Sequence, residues 1–185
     1  MNRRPLLLIL ILFVGPLVAA FWLYYGSSWR PSGRTSHGEL IQPVVTLPAL
    51  PAATGGGNIL AGKWSLLVVD TGESGCDADC RNALVYARQT WLSLGHLTSR
   101  VQRVLLAGPA CCDAAYLRNE HEGLTLAQAS DQAGAALLAA IPEPRGRYVF
   151  VVDPLGNLMM RYDVRDDPKG LRVDLQKLLE LSHIG

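Results

Sequence analysis

The four cysteines of this 185-residue chain fall in two close pairs, Cys76-Asp77-Ala78-Asp79-Cys80 and Cys111-Cys112. Two thiols spaced i, i+4 where a strand passes into a helix can face the same way, because four residues is close to one helical turn. Such a pair can close a disulfide or grip one soft metal ion. A thiol near a helix N-terminus also has its pKa lowered by the unpaired amides and the dipole. Asp77 and Asp79 oppose that effect, since negative charge disfavours a neighbouring thiolate. The expectation is a modestly reactive pair, with a permanent disulfide stapling the helix start as the structural alternative. Adjacent cysteines rarely bond each other, because a vicinal bridge strains the intervening backbone. Cys111 and Cys112 are therefore expected to be buried as small apolar residues. Resolving a disulfide with the CxxxC pair, or binding metal, are the other roles open to them. Neither pair has the spacing of a complete zinc site.

The flanking residues supply a scaffold for the first pair. Gly62-Lys63 leads into Trp64–Val69, a continuous apolar run typical of a strand buried on both faces. After the CxxxC, Leu84, Ala87, Trp91, Leu92 and Leu94 recur at helical spacing up to Gly95, a plausible C-cap. Val101–Ala107 is a second apolar strand, so a β-α-β unit encloses the thiols and predicts a parallel pair with right-handed crossover. Gly108–Gly123 carries no clear pattern. Leu126–Ala140 is Ala-rich and reads as a helix stopped by Pro142 and Pro144. Tyr148–Val152 and Leu158–Tyr162 flank Asp153-Pro154-Leu155-Gly156-Asn157, an antiparallel hairpin in which Asp153 forms the turn. Asp167-Pro168 caps a last helix over residues 170–181, with Leu171, Leu175, Leu178 and Leu179 on one face. Trp64 and Trp91 are expected in the core. Arg81, Arg88, Arg100 and Arg103 read as a solvated face. The order of elements is that of an α/β, thioredoxin-like domain.

The N-terminus sets the compartment. Arg3 and Arg4 precede an uncharged apolar run from Leu6 to Tyr25, about the 20 residues a helix needs to cross a bilayer. Basic residues on that side favour a cytoplasmic tip, and Trp22, Tyr24, Tyr25 and Trp29 suit the opposite interface. The alternative is a cleaved signal peptide ending at Val18-Ala19-Ala20, although its apolar core exceeds the usual length. Both readings export the rest of the chain into a compartment where disulfides persist. Residues 1–26 are accordingly expected as tip and anchor, 27–57 as a Ser/Gly/Pro-rich spacer, and 58–185 as the domain. Within the spacer, Val44–Leu47 could pair as a short edge strand between Pro43 and Pro48. A formal net charge of +1 with scattered arginines carries no nucleic-acid footprint.

In combination, Gly62-Lys63-Trp64 entering a buried strand, the CxxxC at the next helix and the Val151–Asn157 hairpin resemble the Sco/SenC family. More closely, residues 38–184 resemble small bacterial membrane-anchored proteins associated with cytochrome oxidase. The resemblance implies a Sco-like thioredoxin fold behind one transmembrane helix, located in the cell inner membrane with the C-terminal domain in the periplasm. It implies copper as the cargo, and a cytochrome c oxidase subunit or another copper chaperone as the partner. The chain also departs from that family. Asp77 and Arg81 stand where Sco proteins usually carry a Pro after each Cys. Pro144-Arg145-Gly146-Arg147 stands where they keep a His ligand before the late hairpin.

Copper(I) is soft and favours thiolate and imidazole, so two Cys and one His would make a three-coordinate site. His37 lies in the spacer, His96 after the first helix and His183 near the C-terminus. His121, between strands, is the one expected to approach the thiols, giving Cys76, Cys80 and His121 as the candidate metal set. A dithiol oxidoreductase needs only Cys76 and Cys80. Three functions follow: reduction of copper-site cysteines, copper(I) carriage, and a redox-inactive docking role.

Overall fold

The computed structural model describes residues 3–26, 36–52, 57–70 and 75–185. The chain divides into two compact units, Met1–Thr35 and Ser36–Gly185. Helix α1, Arg4–Gly26, is the whole regular structure described in the first. Its Leu7–Gly26 stretch is long and apolar enough to cross a membrane, and its large side chains are exposed along their length. That exposure is what a lipid-facing helix presents. Parts of the expected spacer, 27–35 and 53–56, lie outside the described residues.

The second unit is built on one six-stranded sheet. Its elements in chain order are β1 (Glu39–Thr46), β2 (Trp64–Val69), α2 (Ala78–Ser93), β3 (Val101–Ala107), α3 (Ala114–Glu120), β4 (Leu124–Gln128), α4 (Gln132–Ala140), β5 (Tyr148–Val152), β6 (Asn157–Asp163) and α5 (Pro168–Leu181). The strands lie in the order β1-β6-β5-β2-β3-β4. β2, β3 and β4 run parallel, whereas β5, β6 and β1 are joined antiparallel. Every residue of β2 and β5 is buried, as their unbroken apolar runs require at the centre of a sheet covered on both faces.

Alternation along these strands divides the core in two. Leu66, Val68, Leu105 and Val151 point to one face, under α2 and α5. Leu67, Val69, Leu106 and Phe150 point to the other, against Leu137 of α4 and Leu47, Leu50 and Leu60. The β-α-β unit around the thiols is therefore present, with β2 and β3 in parallel register from Trp64↔Val101 to Val69↔Leu106.

Three sequence expectations change. Residues 126–140 are not one helix: β4 takes the first part and α4 begins only at Gln132. The Ala content favours a helix throughout, but pairing of Leu124–Gln128 with β3 decides against it, since tertiary pairing overrides a weak propensity. Gly108–Gly123 contains helix α3, which Asp113 caps by accepting from the Ala115 amide. The compact unit starts at Ser36, and the edge strand β1 is longer than Val44–Leu47 and belongs to the sheet, so the domain extends N-terminally of residue 58.

That early start is held by one carboxylate. Asp174 of α5, buried, accepts from the His37 and Gly38 amides at 2.7 and 3.1 Å and from Tyr162 Oη at 2.8 Å. His37 Nδ1 lies 3.0 Å from its other oxygen. A Cβ on Gly38 would fall 2.4 Å from the Tyr162 ring, so only glycine lets the backbone come this close. Burial pushes the Asp174 carboxyl up, but the hydrogen bonds from His37, Gly38 and Tyr162 outweigh it and hold the pKa below the ordinary value.

Candidate functional site

Cys76 and Cys80 are disulfide-bonded, with Cα atoms 5.2 Å apart, at the start of α2. Asp77 is the N-cap, its carboxylate accepting from the Cys80 amide at 2.9 Å. That bond uses one of the free amides of the first turn, leaving it unavailable to a thiolate. Asp79 turns outward to pair with Arg165, which offsets its charge near the thiols. The two sulfurs differ in access. Cys80 is 2 % exposed and packed into the α2 core with Ala83, Leu84 and Ala87, whereas Cys76 is half-buried at its edge.

Cys111 and Cys112 are also bonded, to each other, and both are half-buried. The expectation that they would sit unbonded as small core residues is thus overturned. Cys112 has φ +46°, the one positive value among the described non-glycine residues. A left-handed conformation here costs about 1–2 kcal/mol. It directly follows the turn over residues 108–111, which the Cys111 amide closes by donating to the Gly108 carbonyl at 3.0 Å.

The two cysteine segments touch. Gly75 has φ +97°, and a Cβ on it would fall 2.8 Å from the Ala110 carbonyl oxygen. The residue before one pair thus lies against the residue before the other, an approach that a side chain at 75 would block. As a result the sulfurs of Cys76, Cys80 and Cys112 all lie within 4.8 Å of one another. Among the described residues this is the one group of three or more His, Cys, Asp and Glu ligand atoms so closely placed.

His121, the expected third ligand, has no nitrogen in that group. It is 2 % exposed at the end of α3, with Nε2 2.9 Å from Tyr116 Oη and Nδ1 buried without a partner. Burial pushes its pKa below the usual histidine value, and the nearby Arg103 and Arg88 charges push the same way. Its route toward the thiols is indirect: its ring packs edge-on against Tyr116, and the Arg81 guanidinium, one residue past Cys80, covers the Tyr116 ring. Where the resemblance places a His before the hairpin, Arg145 and Arg147 pair with Glu143 and Asp163.

Arg103, expected on a solvated face, is buried in β3. Its guanidinium lies over the Trp91 ring at 4.9 Å and donates to the Glu122 carbonyl. The signal was available, since Arg103 shares its strand face with the core residues Val101 and Leu105. Cys112, for which burial was the favoured reading and metal binding or resolving a disulfide the open alternatives, lies 32 positions after Cys80, and the Gly75–Ala110 approach is among the contacts that relate the two segments.

The soft donor set would suit copper(I) once the thiols are reduced, because three thiolates supply polarizable ligands without a nitrogen.

A family model described as transmembrane-like, thioredoxin-like, C-terminal domain matches residues 64–182. The chain belongs to this family. No curated protein matches the sequence. Among solved structures, yeast Sco1 aligns with a TM-score of 0.55 at 19 % identity, covering 77 % of this chain and 98 % of that one. Copper-bound ScoI of Bradyrhizobium japonicum aligns at 0.52 and 15 %, covering 72 % and 98 %. A Neisseria meningitidis protein assigned as a thioredoxin aligns at 0.54 and 16 %, covering 75 % and 93 %. At these identities the likeness is one of fold, and the fold is Sco-like and thioredoxin-like.

Proposed function

We propose that this protein is a membrane-anchored thiol-disulfide oxidoreductase acting through Cys76 and Cys80. The observation that carries the reading is their asymmetry: two sulfurs bonded at a helix start, one accessible and one 2 % exposed. In the reduced protein, the Cys76 thiolate attacks a client disulfide and forms a mixed disulfide, releasing one client thiol. Cys80 then attacks the Cys76 sulfur, restoring the Cys76–Cys80 bond and releasing the second client thiol. The client gains two electrons and two protons, and the protein becomes oxidised. A buried resolving thiol favours this order, because it is reached from Cys76 and not from bulk solvent.

The client implied by the Sco/SenC resemblance is a copper-site cysteine pair, in a cytochrome c oxidase subunit or in another copper chaperone. The anchor and the basic N-terminal tip support a periplasmic domain in the inner membrane. A reporter active only in the periplasm, fused after Gly185, should be active and membrane-bound. For the chemistry, the full chain in detergent is equilibrated with a glutathione couple and its thiols are counted by alkylation. Cys76 and Cys80 should titrate as one two-electron pair and should reduce an oxidised oxidase-subunit peptide. A pair that never reduces across the range would leave a structural staple and sink the proposal.

A second reading, copper(I) carriage, is favoured by the grouping of Cys76, Cys80 and Cys112. In a competition titration of the fully reduced chain, Cys112→Ser should then weaken binding about as much as Cys76→Ser. His121→Ala should leave it unchanged. Loss of binding in His121→Ala alone would return the ligand role to the histidine.

A further inference from the structure

We infer that Cys111–Cys112 is a second redox-active disulfide, which exchanges electrons with Cys76 and Cys80 through a Cys76–Cys112 bond. The inference rests on the oxidoreductase reading above and adds a second site to it. Three observations carry it. The sulfurs of Cys76, Cys80 and Cys112 lie within 4.8 Å of one another, so one small displacement brings a thiolate onto the neighbouring disulfide. At Gly75 and Ala110 the two segments approach each other at backbone level, outside any sulfur bond. Cys111 and Cys112 also line a cleft of about 500 Å³ with Leu117, His121 and Leu126, which Cys76 and Cys80 do not reach. The vicinal pair therefore lies against the CxxxC sulfurs and also borders a cleft that a disulfide-bearing peptide can enter.

The exchange balances within the chain. With Cys76 and Cys80 reduced, the Cys76 thiolate attacks the Cys112 sulfur and breaks the Cys111–Cys112 bond, and Cys111 leaves as the thiolate. Cys80, after losing its proton, attacks the Cys76 sulfur and breaks the Cys76–Cys112 bond, and Cys112 leaves. Two electrons and two protons have moved, oxidising Cys76 and Cys80 and reducing Cys111 and Cys112. The reverse sequence uses the same bonds. A reduced Cys111 then faces the cleft, where it can pass the electron pair to a disulfide-bearing peptide that enters there.

The test uses the full chain in detergent. In the Cys80→Ser/Cys111→Ser variant only Cys76 and Cys112 remain, and mild oxidation should join them, giving one linked peptide by mass. Free thiols at both positions in a variant that keeps the wild-type far-ultraviolet circular dichroism would overturn the inference. Should that variant fail to fold, the wild type decides. After one equivalent of dithiothreitol and acid quenching over a time course, a small yield of the Cys76–Cys112 peptide is expected, and its absence at every time point would overturn the relay. Gly75→Ala, which pushes the two segments apart, should reduce that yield severalfold. The Cys111→Ser/Cys112→Ser variant separates the two readings: glutathione exchange at Cys76 and Cys80 should persist there even if the relay fails, whereas its loss would count against the oxidoreductase itself.

Discussion

Two clusters join distant parts of the chain, one buried and one half-buried, and they are built on opposite principles. Around Asp174, donors from His37, Gly38 and Tyr162 converge on one carboxylate, and both of its oxygens are engaged. Around Cys76, Cys80 and Cys112, the close approach is made by sulfurs held in S–S bonds, a kind of bond that can be exchanged. A saturated polar cluster is costly to open, because each buried donor left behind loses its partner. A sulfur cluster can exchange one S–S bond for another with the count unchanged. The contrast separates a place where the molecule is held from a place where chemistry is proposed: the clasp anchors the edge of the domain, and the bonded sulfurs at the start of α2, Cys76 half-buried and Cys80 buried, are the ones the proposed exchange would use.

Breaking the clasp should have the largest effect. Asp174→Ala strands the Tyr162 hydroxyl and two backbone amides, at a cost of about 3 kcal/mol, or roughly 10 °C in melting temperature for a domain of this size. Thermal unfolding of the full chain in detergent measures it. A shift of only a degree or two would mean that water replaces the carboxylate without loss. Reductant should leave the size of this effect unaltered, since no sulfur takes part.

The CxxxC bond should contribute less. Closing so short a loop is worth about 2 kcal/mol in the chain-entropy account. Cys76→Ser should therefore lower stability by about that amount under oxidising conditions and by little once dithiothreitol is present. An equal loss in both conditions would assign the effect to packing instead of to the bond.

The smallest effect sharpens the comparison through pH. His121 has a folded-state pKa below its ordinary value of 6.5, so the unfolded chain binds its proton first as pH falls. Stability from this group is full above pH 6.5 and is lost as pH drops through the lower, folded value. The charged groups acting on it are Arg103 and Arg88, which deepen the effect, and Glu120, which opposes it. His121→Gln keeps a polar group near Tyr116 without the titration, and should flatten the fall in melting temperature between pH 7 and 5. Asp174 is also held below its ordinary value, 3.8, so its contribution is lost only at more acid pH, and the two regions should separate along the pH axis. An unchanged slope in His121→Gln would remove the histidine from this account.

Much of the fold was legible because the signals are local. The buried strands Trp64–Val69 and Tyr148–Val152, the Asp153 turn and the Asp167 cap each follow from a few consecutive residues. Asp153 accepts from the Leu155 and Asn157 amides, as its place before Pro-Leu-Gly-Asn predicts. β4 was hidden because its Ala and Leu content suits a helix, and its pairing partner lies some 20 residues earlier.

The sequence by itself determined the thiol pair at a strand-to-helix junction, the apolar N-terminal helix and the thioredoxin-like order of elements, because spacing, periodicity and hydropathy are properties of neighbours along the chain. Only the tertiary structure decided the company those thiols keep. It brought Cys112 to them in place of His121, through a backbone contact between Gly75 and Ala110 that no pattern within either segment encodes. It also drew Arg103 inward over Trp91 and set residues 36–38 on Asp174. The physical reason is common to all three: each depends on how two elements far apart in sequence are spaced across the sheet, and that distance is set by the packed core.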